Sequence, residues 1–288
     1  MTTRLGSASI ATRAGSADDL LFRHVRDLPY FRGLLRAVES RFYQDLELKQ
    51  PVYDLGCGDG HFAWITFPKP IDVGLDPWHG PIHEAGRRGH YGGLVEGNAA
   101  QTPFADAHFA SAFSNSVLEH IPRVQIVLNE TARILEPGAL FVFCVPNENF
   151  TQFLSVARGL DRLGLHGAAE AYRRFFNRIS RHSHCDAPAV WETRLRIAGF
   201  EIEEHWDYFS PEALATLEWG HYFGLPALIC KALFGRWIIA PWMFSLWPTL
   251  ALVRRYFNES IPQKQGAYTF YVTRRTAAKP QPPDGMRQ

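Results

Sequence analysis

Residues 53–60 read YDLGCGDG, with glycines at alternate positions, Gly56, Gly58 and Gly60, and an aspartate, Asp54, two residues before the first. Glycine loses more conformational freedom on folding than any other residue, so three in one loop mean a backbone that must turn sharply or admit a ligand. The loop follows the short apolar run PVYDL and precedes HFAWITF, which reads as a helix. A glycine-rich turn between the first strand and the first helix of an alternating fold lets a ligand lie against the main chain. A dinucleotide site would want G-x-G-x-x-G, but here the third position falls on His61. The Asp54 carboxylate would also repel a pyrophosphate, and would attract an ammonium group. A second acid, Asp76, ends IDVGLD twenty residues after Gly56, where a carboxylate reaches a ribose diol. The ligand so described has a ribose and a positive end and needs no phosphate. S-adenosylmethionine meets all three conditions. Two plainer readings stand beside this one: the glycines form only a tight turn, and Asp76 caps a helix.

The surrounding sequence supplies the elements such a loop needs. Phe31, Leu34, Leu35, Val38 and Phe42 recur at helical spacing from Phe31 to Leu46. Strands are read at PVYDLG, IDVGLDP, GGLVEGNA, HFASAFSNS and ALFVFCVPN, the last nearly all apolar, as a strand buried on both faces of a parallel sheet must be. Between the last two, Val124, Val127, Leu128, Ala132 and Leu135 make a helical face that Pro137 and Gly138 should stop. AVWETRLRIAGFEIEEHW reads as a helix, a glycine stop at Gly199 and a sixth strand, and GAYTFYVTRR as a late strand. The alternation predicts an α/β fold, a doubly wound sheet, in one domain over residues 21–275. Long stretches at about 147–188 and 207–266 interrupt the rhythm and are expected to be mainly helical insertions. Residues 1–20 and 276–288 read as disordered tails by composition.

Four stretches, VYDLGCGDGHFA, DVGLDP, GNAAQTPFADAHFASAFSNSVLEHI and ILEPGALFVFCVPN, resemble in order and spacing the class I S-adenosylmethionine-dependent methyltransferases, specifically the type 11 small-molecule group. They cover Val52 to Asn147, and WETRLRIAGFEI extends the likeness to the sixth strand. The resemblance implies a Rossmann-like seven-stranded sheet whose last strand is antiparallel and inserted between strands five and six. It implies that Asp54, Gly56, Cys57 and Gly58 line the methionine end and ribose of the cofactor. It places Asp76 on the ribose hydroxyls, Pro77 beside the adenine, Asn98 and Ala99 at the adenine edge, and Ser114 and Asn115 close to the methyl group. Two departures are Asn98 and Ala110, where the family commonly has aspartate. The implied activity is methyl transfer to a small or lipid-linked acceptor. The alternatives are a non-catalytic module or partner subunit that binds the cofactor, and an oxidoreductase, against which His61 and Asp54 both speak.

Methyl transfer needs a base only where the acceptor must lose a proton. The candidates are His120, His184 and Glu119; Cys57 reads as a small filler and not a nucleophile. His182, His184 and Cys185 lie within four positions without a partner motif, so no metal is expected. The first insertion carries Arg158, Arg162, Arg173, Arg174, Arg178 and Arg181 against Asp161 and Glu170, either a solvated helical face or a basic rim for an acidic acceptor. In the second, Trp237 to Val253 holds no charge but Trp237, Trp242 and Trp247, with Arg254 and Arg255 following. A spanning helix wants ~20 apolar residues, and Pro241 and Pro248 should break this one. The segment 225–253 is therefore read first as a lid or membrane-interface element, then as a homodimer face, and last as a transmembrane helix. A net charge of +1 gives no reason to expect nucleic acid. Four scattered cysteines and no apolar leader-like run at the start fit a cytoplasmic location, with peripheral membrane contact through 225–253.

Overall fold

The computed structural model describes residues 14–277. Two helices, α1 (Ala14–Asp27) and α2 (Tyr30–Phe42), precede the sheet. Then come β1 (Val52–Leu55), α3 (His61–Thr66), β2 (Ile71–Asp76), α4 (His79–Arg88), β3 (Tyr91–Glu96), β4 (Phe109–Asn115), a 3-10 turn at Leu118–His120, α5 (Val124–Ile134) and β5 (Leu135–Pro146). The first insertion holds α6 (Asn149–Gln152), α7 (Ser155–Arg162) and α8 (His166–Ile179). α9 (Pro188–Ala198) and β6 (Phe200–Tyr208) follow. The second insertion holds α10 (Pro211–Phe223), α11 (Leu225–Phe234) and α12 (Met243–Phe257), before β7 (Tyr268–Arg275) closes the sheet.

The strand order is β3-β2-β1-β4-β5-β7-β6, with β7 antiparallel to both neighbours. Because β7 opposes β5 and β6 alike, β5 and β6 run the same way. Both insertions therefore leave the sheet at its carboxyl edge, where open α/β sheets bind ligands. The chain order reverses between β1 and β4, which pair through Tyr53 and Ala112, and this sets the crevice. Side chains alternate along β5: Val142 and Cys144 join the core under α1, α2 and the insertions, while Phe141, Phe143 and Val145 join the core under α5 and α9.

Four expectations are corrected. Residues 14–20, read as part of a tail, begin α1, because Leu20, Leu21 and Val25 form a stripe that buries. Residues 1–13 and 278–288 lie outside the described residues, and Thr276 is tied by its amide to the Gly199 carbonyl at 2.8 Å. Pro137 and Gly138 do not stop α5; Leu135 is already extended, and both sit inside β5 where its register against β4 shifts, Gly138 at φ +86°. Pro241 does lie in the break before α12, but Pro248 stands within that helix without interrupting it, at the loss of one backbone bond. α2 also stops at Phe42 and not Leu46, where the Gln44 side chain donates from Nε2 to the Ser40 carbonyl at 3.0 Å.

α10 crosses α2 at very close range. A Cβ on Gly220 would lie 2.3 Å from Phe31 Cβ. Helix propensity alone favours Gly220→Ala by ~1 kcal/mol. Overpacking at this crossing opposes it by ~1–3 kcal/mol. The variant should melt below the parent in calorimetry; a higher melting temperature would mean the crossing is loose.

Candidate active site

The glycine loop is built on β1 and held from β2. The amides of Gly56 and Cys57 both donate to the Leu75 carbonyl, at 2.8 and 3.0 Å. All three glycines have positive φ, which any side chain would resist. Their surroundings differ. A Cβ on Gly56 would strike Val117 Cγ1 at 2.5 Å, so that glycine serves packing. A Cβ on Gly58, at φ +55°, would meet nothing within 4 Å, and would stand in the open crevice. The Gly58 amide donates to Asp76 Oδ2 at 2.9 Å, and the Trp78 amide to Asp76 Oδ1 at 3.0 Å. Asp76 thus fixes the loop and the start of α4 together. Burial raises its pKa, opposed by those two amides, and each oxygen keeps a second lone pair for a ligand. The cap-like bond to Trp78 and a role toward a ribose are both available to it.

The other residues fall into two groups. Pro77 is exposed beside Asp76, and the next residue, Trp78, is 69% exposed. No residue pattern had marked Trp78, yet a bare indole next to the Asp76 carboxylate is a ready wall for a flat ring. Asn98 is exposed, with Oδ1 accepting from the Ala100 amide at 2.9 Å, and Ala99 is part-buried below it. These residues line one side of the crevice. By contrast, Asp54, assigned to the ammonium end, is buried and accepts from the Tyr91 hydroxyl at 2.6 Å. Burial pushes its carboxyl up to about 7. The period of β1 turns Asp54 to the α2 and α3 side of the sheet, so it supports the loop from below. Ser114 is likewise turned inward, its hydroxyl donating to the Leu55 carbonyl at 2.9 Å and lacing β4 to β1. Burial, then Asp54 and Asp76, push the Cys57 thiol far above the thiolate range, which suits a filler.

Asn115 ends β4 over a buried network the sequence did not reveal. Its Nδ2 donates to Glu39 Oε2 at 2.7 Å, its Oδ1 accepts from Cys144 Sγ at 3.1 Å, and its carbonyl accepts from Arg36 at 2.9 Å. The available signal was a glutamate inside the apolar stripe of α2, between Leu35 and Phe42.

The three base candidates also separate. His184 spends both ring nitrogens, Nδ1 on Asp186 at 3.1 Å and Nε2 on the Ile121 carbonyl at 3.0 Å. His120 donates from Nδ1 to the Arg181 carbonyl at 3.0 Å, which leaves Nε2 as the basic atom. Burial lowers its pKa and keeps it neutral. Its Nε2 lies 3.8 Å from Glu119 Oε1, while Glu119 Oε2 is buried without a partner. Burial pushes Glu119 up to about 8, so it holds a proton at neutral pH. His182 stacks on His120 with centroids 5.5 Å apart and is driven down to about 3, chiefly by burial. Among the described residues, no three His, Cys, Asp or Glu side chains are grouped to hold a metal ion. In the first insertion, Arg173 pairs with Asp161 and with Glu170 (3.3 Å), with its own side chain mostly covered.

Residues 53–143 match the family model described as a methyltransferase domain. Over those residues the chain is similar to the class I methyltransferases of the type 11 group. The cofactor of that domain is S-adenosylmethionine. Its sequence is 35% identical to a fatty-acid O-methyltransferase of Mycolicibacterium smegmatis over 34% of this chain and 38% of that protein. It is 28% identical to the Arabidopsis thaliana 24-methylenesterol C-methyltransferase 2 over 57% of this chain and 45% of that one. The chain thus spans less than half the length of these curated relatives. An S-adenosylmethionine-dependent methyltransferase from Mesorhizobium loti has the same fold, with a TM-score of 0.50 at 14% identity over 84% of this chain and 98% of that one.

Glu119 gives the domain a pH signature. A free glutamate titrates near 4.5, whereas folded Glu119 keeps its proton to about 8. Between these values the unfolded chain has lost a proton that the folded one retains, so this group's contribution falls as pH rises. It is intact below the lower value and gone above the upper, with a slope of at most ~1.4 kcal/mol per pH unit. Glu119→Gln mimics the neutral acid. Its stability advantage over the parent, from urea melts, should widen from pH 5 to 8. Parallel profiles would mean that Glu119 is ionised in the folded chain.

Proposed function

We propose that this protein transfers the methyl group of S-adenosylmethionine to a small, apolar or lipid-linked acceptor. The observation that carries the reading is the pairing of open space at Gly58 with the Asp76 carboxylate its own amide anchors. A cradle that any Cβ would fill, beside an acid that retains free lone pairs, fits a ribose with a chain lying across the loop. Asp76 would hold the ribose hydroxyls, the backbone of Gly56 to Gly58 the amino-acid end, and Trp78 with Pro77 the adenine face. When bound, the cofactor supplies an electrophilic methyl group on a sulfonium. The chain itself contributes alignment and exclusion of water. Ser116, at φ +54°, holds the backbone turn after β4 against the crevice.

For an acceptor that must lose a proton, His120 is the favoured base. Its Nε2 is unprotonated, and its ring is only part-covered, so an acceptor can reach it. Glu119, protonated at Oε, keeps a neutral group behind it. The apolar character of the acceptor is supported by the insertion helices at the carboxyl edge, rich in exposed Phe, Leu and Trp. It is supported also by the relatives named for fatty-acid and sterol substrates.

Calorimetry should give micromolar-range binding of the cofactor and of its demethylated product, and none of NAD. Asp76→Ala should weaken it by ~1–3 kcal/mol, about 10- to 100-fold. Gly58→Val should abolish it in a folded protein. Unchanged affinity in both would remove the loop from the site. With labelled cofactor and an extract of apolar metabolites, His120→Gln should slow transfer by ~100-fold or more at unchanged cofactor affinity. Cofactor binding with no transfer to any extract would return the chain to a non-catalytic module.

A further inference from the structure

The stretch of the second insertion that carries no acid is also the stretch left uncovered. From Trp219 to Asn258 there is no aspartate or glutamate, while Lys231, Arg236, Arg254 and Arg255 are cationic. α12 buries Leu246, Leu250, Val253 and Phe257 against the core as one stripe at helical spacing. Its opposite face holds Phe244, Trp247, Pro248, Ala251 and Leu252, as apolar as the buried one, yet Phe244 is 78% and Trp247 68% exposed. The Trp242 and Phe244 rings stack at 5.9 Å on that side. No residue of α11 is buried among those described, and Leu228, Ile229, Leu233 and Phe234 are all exposed. Lys231 pairs with Glu84 at 3.5 Å, which ties α11 to α4 and so to the domain. A helix apolar on both faces needs cover on both. Neither helix can obtain it by crossing a bilayer, since no helix among the described residues is long and apolar enough.

We propose that α11 and α12 form a docking face for the surface of an anionic lipid bilayer. The phenylalanine, leucine and tryptophan side chains enter the boundary between head groups and acyl chains, and the cations meet lipid phosphates. Tryptophan with flanking arginine is the composition that this boundary favours. Charge selects this occupant over a second copy of the chain. A two-fold interface through the same face would bring each arginine toward its own counterparts, with no acid in the whole stretch to receive them. An anionic bilayer supplies the opposite charge all along it.

The test uses the full chain, sedimented with vesicles of phosphatidylcholine alone or mixed with phosphatidylglycerol. Association is expected with the mixed vesicles and should weaken as salt is raised. The double variant Phe244→Ser, Trp247→Ser should bind about tenfold or more weakly, with melting temperature and cofactor affinity kept. Leu233→Ser, at an exposed position of α11, should also weaken binding, and cannot act by emptying the core. Arg236→Glu should lower binding to the mixed vesicles about fivefold or more. No association with either vesicle overturns the proposal, as does association that all these variants retain. A dimer in light scattering that the double variant dissociates overturns it too, in favour of a second copy. These readouts do not depend on methyl transfer, so the docking face and the enzymatic reading fail separately.

Discussion

Arg36, Asn115, Ser116 and Tyr208 all donate to one buried carboxylate, Glu39. The distances are 3.2, 2.7, 3.2 and 2.9 Å. A carboxylate with no access to water is tolerated only when charge and hydrogen bonds around it replace hydration. Here they come from a helix before the sheet, the end of β4 and the end of β6. Burial opposes the Arg36 charge, and the groups around it, Glu39 first among them, together raise its pKa. Deleting one member of such a pair typically costs ~3–5 kcal/mol, because the other is left stranded. The position of α2 against the sheet is therefore not set by apolar contact alone, which would tolerate sliding. It is set by a directional anchor.

The anchor also explains the shape of the crevice. Asn115 and Ser116 lie at the carboxyl end of β4, next to the glycine loop across the β1–β4 switch. Their side chains reach into the Glu39 network, and the Asn115 carbonyl is tied to Arg36 of the same network. Ser114, turned to the other face of the sheet, laces β4 to the Leu55 carbonyl of β1. The positive φ of Ser116, ordinarily unfavourable by ~1 kcal/mol or more, is compatible with its hydroxyl reaching Glu39. On the loop side, Asp76 and Tyr91 play the same part from β2 and β3. The crevice floor is thus mostly main chain, and polar side chains brace it from beneath. That suits a ligand recognised along its length by backbone groups and by a few carboxylate contacts.

Much of this was legible in the sequence, for physical reasons that particular residues show. The glycine spacing could be read because positive φ strongly favours glycine, and all three positions have it. The strand order was legible only through resemblance, since periodicity gives strands and not their neighbours. For Asp54, an acid near a ligand loop looks like a contact, and its bond to the Tyr91 hydroxyl is a partner the sequence did not show. The two-residue period of β1 turns it to the face where Tyr91 waits. Pro137 and Gly138 misled because helix stops and β-bulges use the same residues. Trp78 and Glu39 were missed for opposite reasons. An exposed tryptophan leaves no periodic trace, and a buried glutamate on an apolar stripe resembles an ordinary surface residue until its partners, 76 to 169 positions away, are brought in.

The two insertions look independent in the chain but are joined by a second buried carboxylate. Glu218 on α10 accepts from Ser155 Oγ at 2.6 Å, from the Val156 amide at 3.2 Å and from the Tyr172 hydroxyl at 2.7 Å. Ser155 and Val156 open α7, whose N-terminal residue Leu154 offers no side-chain cap. A carboxylate supplied from another helix therefore satisfies amides that would otherwise be orphaned, at the end of α7 where negative charge is favoured. The roof over the carboxyl edge then behaves as one body through α7, α8 and α10, fixed to α2 by the Gly220 crossing. α11 and the outer face of α12 lie beyond that body, with α11 tied to α4 by the Lys231–Glu84 pair. The fold thus separates a polar-braced crevice from an apolar outer edge that the described residues leave uncovered, and the separation is drawn by where the two buried glutamates reach.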